Sequence, residues 1–144
     1  MAHTIEQLLQ MTTEQLDELF TNSPPGEIPN GEGKGTAILA EGTRHSPEIA
    51  GLINHFAWQG KIFDAKAGLL KNLITPLGFA AIVARVYKAP SWFDGKECIV
   101  LDYSETSLVA GWIRDEIRTI DPGFYLGQVF GGKKRLFHFA LQFS

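Results

Sequence analysis

A single cysteine, two methionines and no extended apolar run set the first limits on this chain. With Cys98 alone, an intrachain disulfide and a cysteine-held metal are both excluded. The residue lies in Glu97-Cys98-Ile99-Val100, a strand-like run, and reads as a small buried hydrophobe rather than a nucleophile. No stretch approaches the roughly 18 consecutive apolar residues of a membrane-spanning helix. The first ten residues lack a basic start followed by an apolar run, so no secretory signal is read there, and the expected location is cytoplasmic. Positive charge is also short: 13 Lys and Arg against 16 Asp and Glu leave a net charge of −3. That gives no electrostatic footprint for nucleic acid. The cluster Lys133, Lys134 and Arg135 falls where a hairpin turn is expected and reads as solubilising.

Familiar catalytic and cofactor patterns are missing too. Ser91, Ser104 and Ser107 sit in expected turns, outside any Gly-x-Ser-x-Gly elbow. Gly31-Glu32-Gly33-Lys34-Gly35-Thr36 lacks the spacing of a phosphate loop, and no strand precedes it. His3, His45 and His55 have no mutual spacing that suits a metal. The sequence therefore assigns neither metal nor cofactor.

What is present is the composition of a globular protein: 144 residues, 44% hydrophobic and 20% charged. That length suits one domain with one core. Residues 1–22 carry Ile5, Leu8, Leu9, Leu16, Leu19 and Phe20 at helical spacing, and Thr12-Thr13-Glu14-Gln15 is a capping-box pattern that restarts the helix. Residues 24–35 are rich in Pro and Gly and read as a loop, with rim use suggested by its length. A short strand over 36–39 precedes a helix from Ser46-Pro47-Glu48, with Ile49, Leu52, Ile53 and Phe56 as its buried stripe. Residues 58–64 and 79–87 read as strands, while 69–76 is ambiguous.

The last third holds the strongest pattern. Runs over 99–101, 109–120, 124–130 and 136–143 are separated by turns, as in an antiparallel meander. Asp94-Gly95, Asp121-Pro122-Gly123 and Gly131-Gly132-Lys133 supply the turn chemistry. The fold expected is mainly β: an antiparallel barrel of about eight strands behind an N-terminal helical segment, occupying 1–144 as a single domain. A curved α+β sheet wrapped on helices, an open cone, is the alternative.

Alternation sorts the strands into faces. Asp115 shares a face with Ile113 and Ile117, so a carboxylate stands where burial is expected. Arg114, Glu116 and Arg118 occupy the opposite face, which reads as solvated. Burying a lone carboxylate is costly enough to protonate it or demand a partner. Arg85, between Val83 and Tyr87, is the expected partner, its fork matching a carboxylate. Gln128 between Leu126 and Phe130, and Asp64 beside Ile62 and Trp58, stand out in the same way. Tyr87, Tyr103 and Tyr125 place phenols in or beside strands, Trp92 lies near a hairpin mouth, and His138 shares a face with Leu136 and Ala140. Asp102 and Tyr103 point to opposite faces.

Trp58-Gln59-Gly60-Lys61, then Phe63-Asp64 and the C-terminal meander, resembles the Trp-x-Gly signatures of calycin-like (lipocalin-like, GXWXG-type) small barrels, with Phe56 in place of the first glycine. The resemblance implies a barrel that holds a lipophilic small molecule, and it transfers no catalytic residue.

Together these features suggest a binding module for a small lipophilic or amphipathic molecule. Its lining candidates are Trp58, Asp64, Arg85, Tyr87, Trp92, Tyr103, Asp115, Tyr125 and Gln128. An acid–base isomerase, cyclase or hydratase on the same scaffold is the second reading, with Asp115, Tyr103 and His138 as candidate proton carriers. Self-association, as in a homodimer, is the third. Binding and catalysis share one pocket, and sequence does not separate them.

Overall fold

The computed structural model describes residues 3–39, 58–74, 79–106 and 111–143. Two short helices, α1 (Ile5–Gln10) and α2 (Thr13–Thr21), open the chain. Each is started by a threonine capping box: Thr4 with Gln7, and Thr12 with Gln15. These exchange side-chain and backbone bonds that satisfy otherwise orphaned amides. Eight strands follow: β1 (Gly31–Ile38), β2 (Trp58–Asp64), β3 (Leu69–Ile74), β4 (Phe79–Pro90), β5 (Glu97–Asp102), β6 (Ile113–Asp121), β7 (Phe124–Gly131) and β8 (Lys134–Phe143). Each pairs antiparallel with the next, and β8 closes on β1. The closed barrel replaces the open-cone alternative.

Several boundaries differ from the sequence reading. Strand β1 begins at Gly31, inside the expected loop, because Gly31, Glu32 and Gly33 pair with Phe63, Ile62 and Lys61 on one side and Gly33 pairs with Phe143 on the other. Ambiguous residues 69–74 form β3. Strand β6 starts at Ile113, which leaves Trp112 in the preceding turn. Lys134 and Arg135 belong to β8 rather than to the turn. The Ser46 helix lies outside the described residues.

Two apolar clusters divide the barrel. The lumen cluster takes inward residues from around the ring, including Phe63, Leu70, Val86, Leu101, Ile117, Val129 and Phe139. The second packs Leu8, Leu16 and Phe20 of the helices onto the outer wall at Cys98, Val100, Leu126 and Ala140. Both faces of β5, β6, β7 and β8 are therefore buried over much of their length. Cys98 is a wholly buried member of the outer cluster, and burial pushes its thiol up to about 12. It is inert at neutral pH.

Arg118 fixes how α2 sits. Its five N–H donors all find acceptors: Glu97 O at 3.1 Å, Phe20 O at 2.9 Å, Asp94 Oδ2 and Oδ1 at 2.6 and 2.8 Å, and Lys96 O at 3.0 Å. The guanidinium also lies 4.3 Å from the Phe20 ring centre. A cation so fully answered can be buried without an uncompensated charge.

The proline-rich segment crosses one end of the barrel. Pro24 O and Pro25 O accept from Thr119 N (3.0 Å) and Thr119 Oγ1 (3.1 Å), and Ile28 packs on the lumen cluster. Gly26 allows this approach, since its φ is +69° and a Cβ there would stand 2.0 Å from Thr119 Oγ1.

Gly127 has a comparable role inside. A Cβ at this position would meet the Phe139 ring at 2.3–2.7 Å, and that ring is fully buried. Gly127→Ala should therefore destabilise the protein by about 1–3 kcal/mol in denaturant unfolding, and adding Phe139→Leu should recover part of the loss. An alanine variant as stable as the parent would mean the ring has room to move.

Candidate functional site

Strand β6 carries two successive carboxylates on opposite faces, and their surroundings differ. Glu116 faces outward but is fully buried beneath the β4–β5 hairpin. Its oxygens accept from Ser91 Oγ (2.6 Å), Trp92 N (2.8 Å), Gln128 Nε2 (2.9 Å) and Arg114 Nε (3.1 Å). Each oxygen is thus answered, as a structural carboxylate requires.

Asp115 faces the lumen, between Leu101 of β5 and Val129 of β7. It is 2% exposed. Oδ2 lies 3.4 Å from Tyr103 Oη and 3.5 Å from Lys61 Nζ. Oδ1 has no hydrogen-bond partner, and no other buried side-chain N or O of the described residues shares that condition. An unanswered buried acceptor costs about 1–3 kcal/mol, so its retention calls for an explanation.

Lys61 completes the group. It projects from β2, four strands from β6 around a ring of eight, so its stem reaches across the lumen. Its Nζ donates to Tyr103 Oη at 2.9 Å and lies 5.6 and 5.9 Å from the ring centres of Tyr103 and Phe139. The residue is 1% exposed. Burial pushes the Lys61 ammonium down, against the pull of Asp115, and pushes the Asp115 carboxyl up, against the pull of Lys61. Both shifts favour the uncharged forms. The result is an amine, a phenol and a carboxyl close enough to exchange protons inside the apolar lumen cluster.

Of the residues singled out from sequence, the lumen gathers Asp115, Tyr103 and Tyr125. Tyr125 donates its hydroxyl to Glu27 O at 2.7 Å. The expected Asp115–Arg85 pair does not form: Arg85 points outward and bonds exposed Glu105 at 2.6 Å. Parity explains this, because Ala84 and Val86 are the inward residues of β4. Tyr87 is also on the outer face and donates to Asp102 Oδ2 at 2.6 Å. Asp64 ends β2 and accepts from Ala67 N in the turn (3.0 Å). Gln128 lies outside, bonded to Glu116. Trp92 and Trp112 border an outer cleft of about 360 Å³, with Arg114 stacked 4.3 Å from the Trp92 ring centre. Trp58 begins β2. Lys61 was missed, although Lys61 and Phe63 alternate as Asp115 and Ile113 do.

No family model matches the chain, and no curated protein matches it. A crystal structure of a protein from Thermomonospora curvata is similar in structure, with a TM-score of 0.70 and 18% identity over 97% of this chain and 93% of that one. That likeness shows the fold alone. It supports a small β-barrel.

His138 lies outside the lumen, against α2. Its Nε2 is 3.0 Å from Asp17 Oδ1, and Arg135 bonds the same oxygen. Because a carboxylate only accepts, the neutral ring carries its proton on Nε2. Burial, helped by the Arg135 guanidinium and opposed by Asp17, pushes the imidazole down to about 4. The unfolded chain would take up that proton first, near an ordinary value of about 6.5. This stabilisation is therefore complete above that pH and lost as pH falls toward 4, by an amount on the order of 1–3 kcal/mol. His138→Gln should flatten that limb of the unfolding free energy against pH. An unchanged acid limb would show that other groups set it.

Proposed function

We propose that this protein binds one small lipophilic or amphipathic molecule in its barrel, in the manner of calycin-like carriers. A hydrogen-bond donor on that molecule, or one formed from it in the lumen, answers Asp115 Oδ1. The observation that carries this reading is the contrast on β6: Glu116 is saturated with donors, while Asp115, equally buried, keeps one oxygen unpaired. Aromatic walls support it further. Phe63 and Tyr125 each meet Phe143 edge-on at 5.5 Å, and Phe139 fills the space that Gly127 leaves. Apolar lumens with a few convergent polar groups are what small-molecule sites look like. The unpaired thiol of Cys98 suits the reducing cytoplasm.

The same three side chains support a second reading, acid–base catalysis on the bound molecule. Lys61, Tyr103 and Asp115 lie within 3.5 Å of one another, so a proton can be taken from one substrate atom and returned at another. Native mass spectrometry separates the two: a lipophile retained through purification argues for carriage, and conversion of an added one argues for chemistry.

The test of the site is Asp115→Asn. The amide is nearly isosteric and keeps an oxygen for Lys61, so the fold should survive. Calorimetric affinity for fatty acids, terpenoids, aromatic polyketides or tetrapyrroles, whichever the parent binds, should fall about tenfold or more, matching one charged hydrogen bond of about 1.5–3 kcal/mol. A lower melting temperature with unchanged affinity would make Asp115 purely structural.

A further inference from the structure

Lys61 is an expensive way to fill a barrel. A methionine of similar length would occupy the same path without desolvating a charge, and exchanging buried ion pairs for apolar groups is often neutral or stabilising. What methionine lacks is a nucleophilic nitrogen. From the placement of that nitrogen, we propose that Lys61 is a Schiff-base lysine: its ε-amine condenses with the carbonyl of a lipophilic aldehyde held in the lumen. The inference rests on the binding function proposed above and names the chemical class of what is bound.

Three features support it. The amine stands 2.9 Å from the Tyr103 hydroxyl and 3.5 Å from Asp115 Oδ2, so a proton donor and a proton acceptor flank it. Asp115 Oδ1, unpaired within the described residues, can accept from a hydroxyl formed at the condensing carbon. The described lumen wall is otherwise apolar, apart from Tyr125 and Thr119, whose hydroxyls are already donated to Glu27 O and Pro25 O. A carbonyl on an apolar chain or ring suits that wall, whereas a polyol or sugar would leave several hydroxyls without partners. Burial also holds the Lys61 ammonium below its ordinary value, which raises the share of nucleophilic amine near neutral pH.

The chemistry balances without a redox partner. The amine lone pair forms the C–N bond, and the carbonyl π pair moves to oxygen. One proton of the nitrogen passes through Tyr103 and Asp115 to that oxygen, giving a carbinolamine. The second follows the same route, the C–O bond breaks, and the hydroxyl leaves as water while the nitrogen lone pair closes the C=N bond. Both amine protons leave in the water. If the Asp115 carboxyl then passes its own proton to the imine nitrogen, the protonated imine has the Asp115 carboxylate as its counter-charge.

Trapping tests this on the unaltered protein. Octanal, cinnamaldehyde and all-trans-retinal are each added with cyanoborohydride at about pH 6, where exposed lysines with a pKa near 10.4 stay protonated. The expected product is one adduct, heavier by the aldehyde less one water plus two hydrogens. It should map to the Lys61 peptide and accumulate there before any adduct on exposed lysines such as Lys34 or Lys133. Lys61→Met should lose it while keeping the parent's circular dichroism, and if that variant does not fold, the peptide map of the parent decides alone. No adduct with any of the three, or adducts confined to surface amines, overturns the proposal. Octanol titrated by calorimetry separates the two levels: octanol binding without an octanal adduct at Lys61 refutes the Schiff base but keeps the binding function. With neither octanol binding nor an adduct, both fall for this ligand class.

Discussion

Strand β6 is buried on both faces, so each charged side chain along its middle has left water and must be answered by protein donors or acceptors. On the outer face that demand is met in full. Arg118 spends every donor, Glu116 is held by four, and Arg114 bridges Glu116 and Pro90 O while stacking on Trp92. On the inner face it is met in part, and Asp115 keeps one oxygen open. The strand thus separates architecture from chemistry across the thickness of one backbone.

The outer network decides where the helices go. With few residues each, α1 and α2 are too short to be stable alone, and they are held by what they touch. Leu8, Leu16 and Phe20 bury their side chains on the barrel wall, Arg118 holds the Phe20 carbonyl, and Asp17 bridges to Arg135 and His138. Charged groups that would be solvated on a bare barrel act here as anchors for a second layer. The lumen owes nothing to these helices, which leaves it shaped by its own aromatic rings.

Much of this architecture was legible in the sequence, because hairpin turns and alternation are local signals. Asp94-Gly95 and Asp121-Pro122-Gly123 marked real turns, and Ile113 and Ile117 placed Asp115 on the inner face. The outer face of β6 misled, since a charged stripe looks the same whether water or a helix covers it. The partner of Asp115 was illegible for another reason. It comes from the far wall, on a strand whose register shifts between Trp58 and Gly60. Alternation counted from Trp58 therefore selects Ile62 and Asp64, which are exposed, instead of Lys61 and Phe63. Arg85 was the natural guess from charge, but charge complementarity says nothing about which strands face each other in three dimensions.

Closure of the sheet has one more consequence. Among the described residues each strand has a neighbour on both sides, so where they pair the ring offers no row of free backbone amides for another chain to extend. Recognition by strand addition, and the template-driven aggregation that follows from it, need an edge that this ring does not present. Association through the described strands would therefore use side chains on the outer surface, leaving the paired backbone ladder untouched.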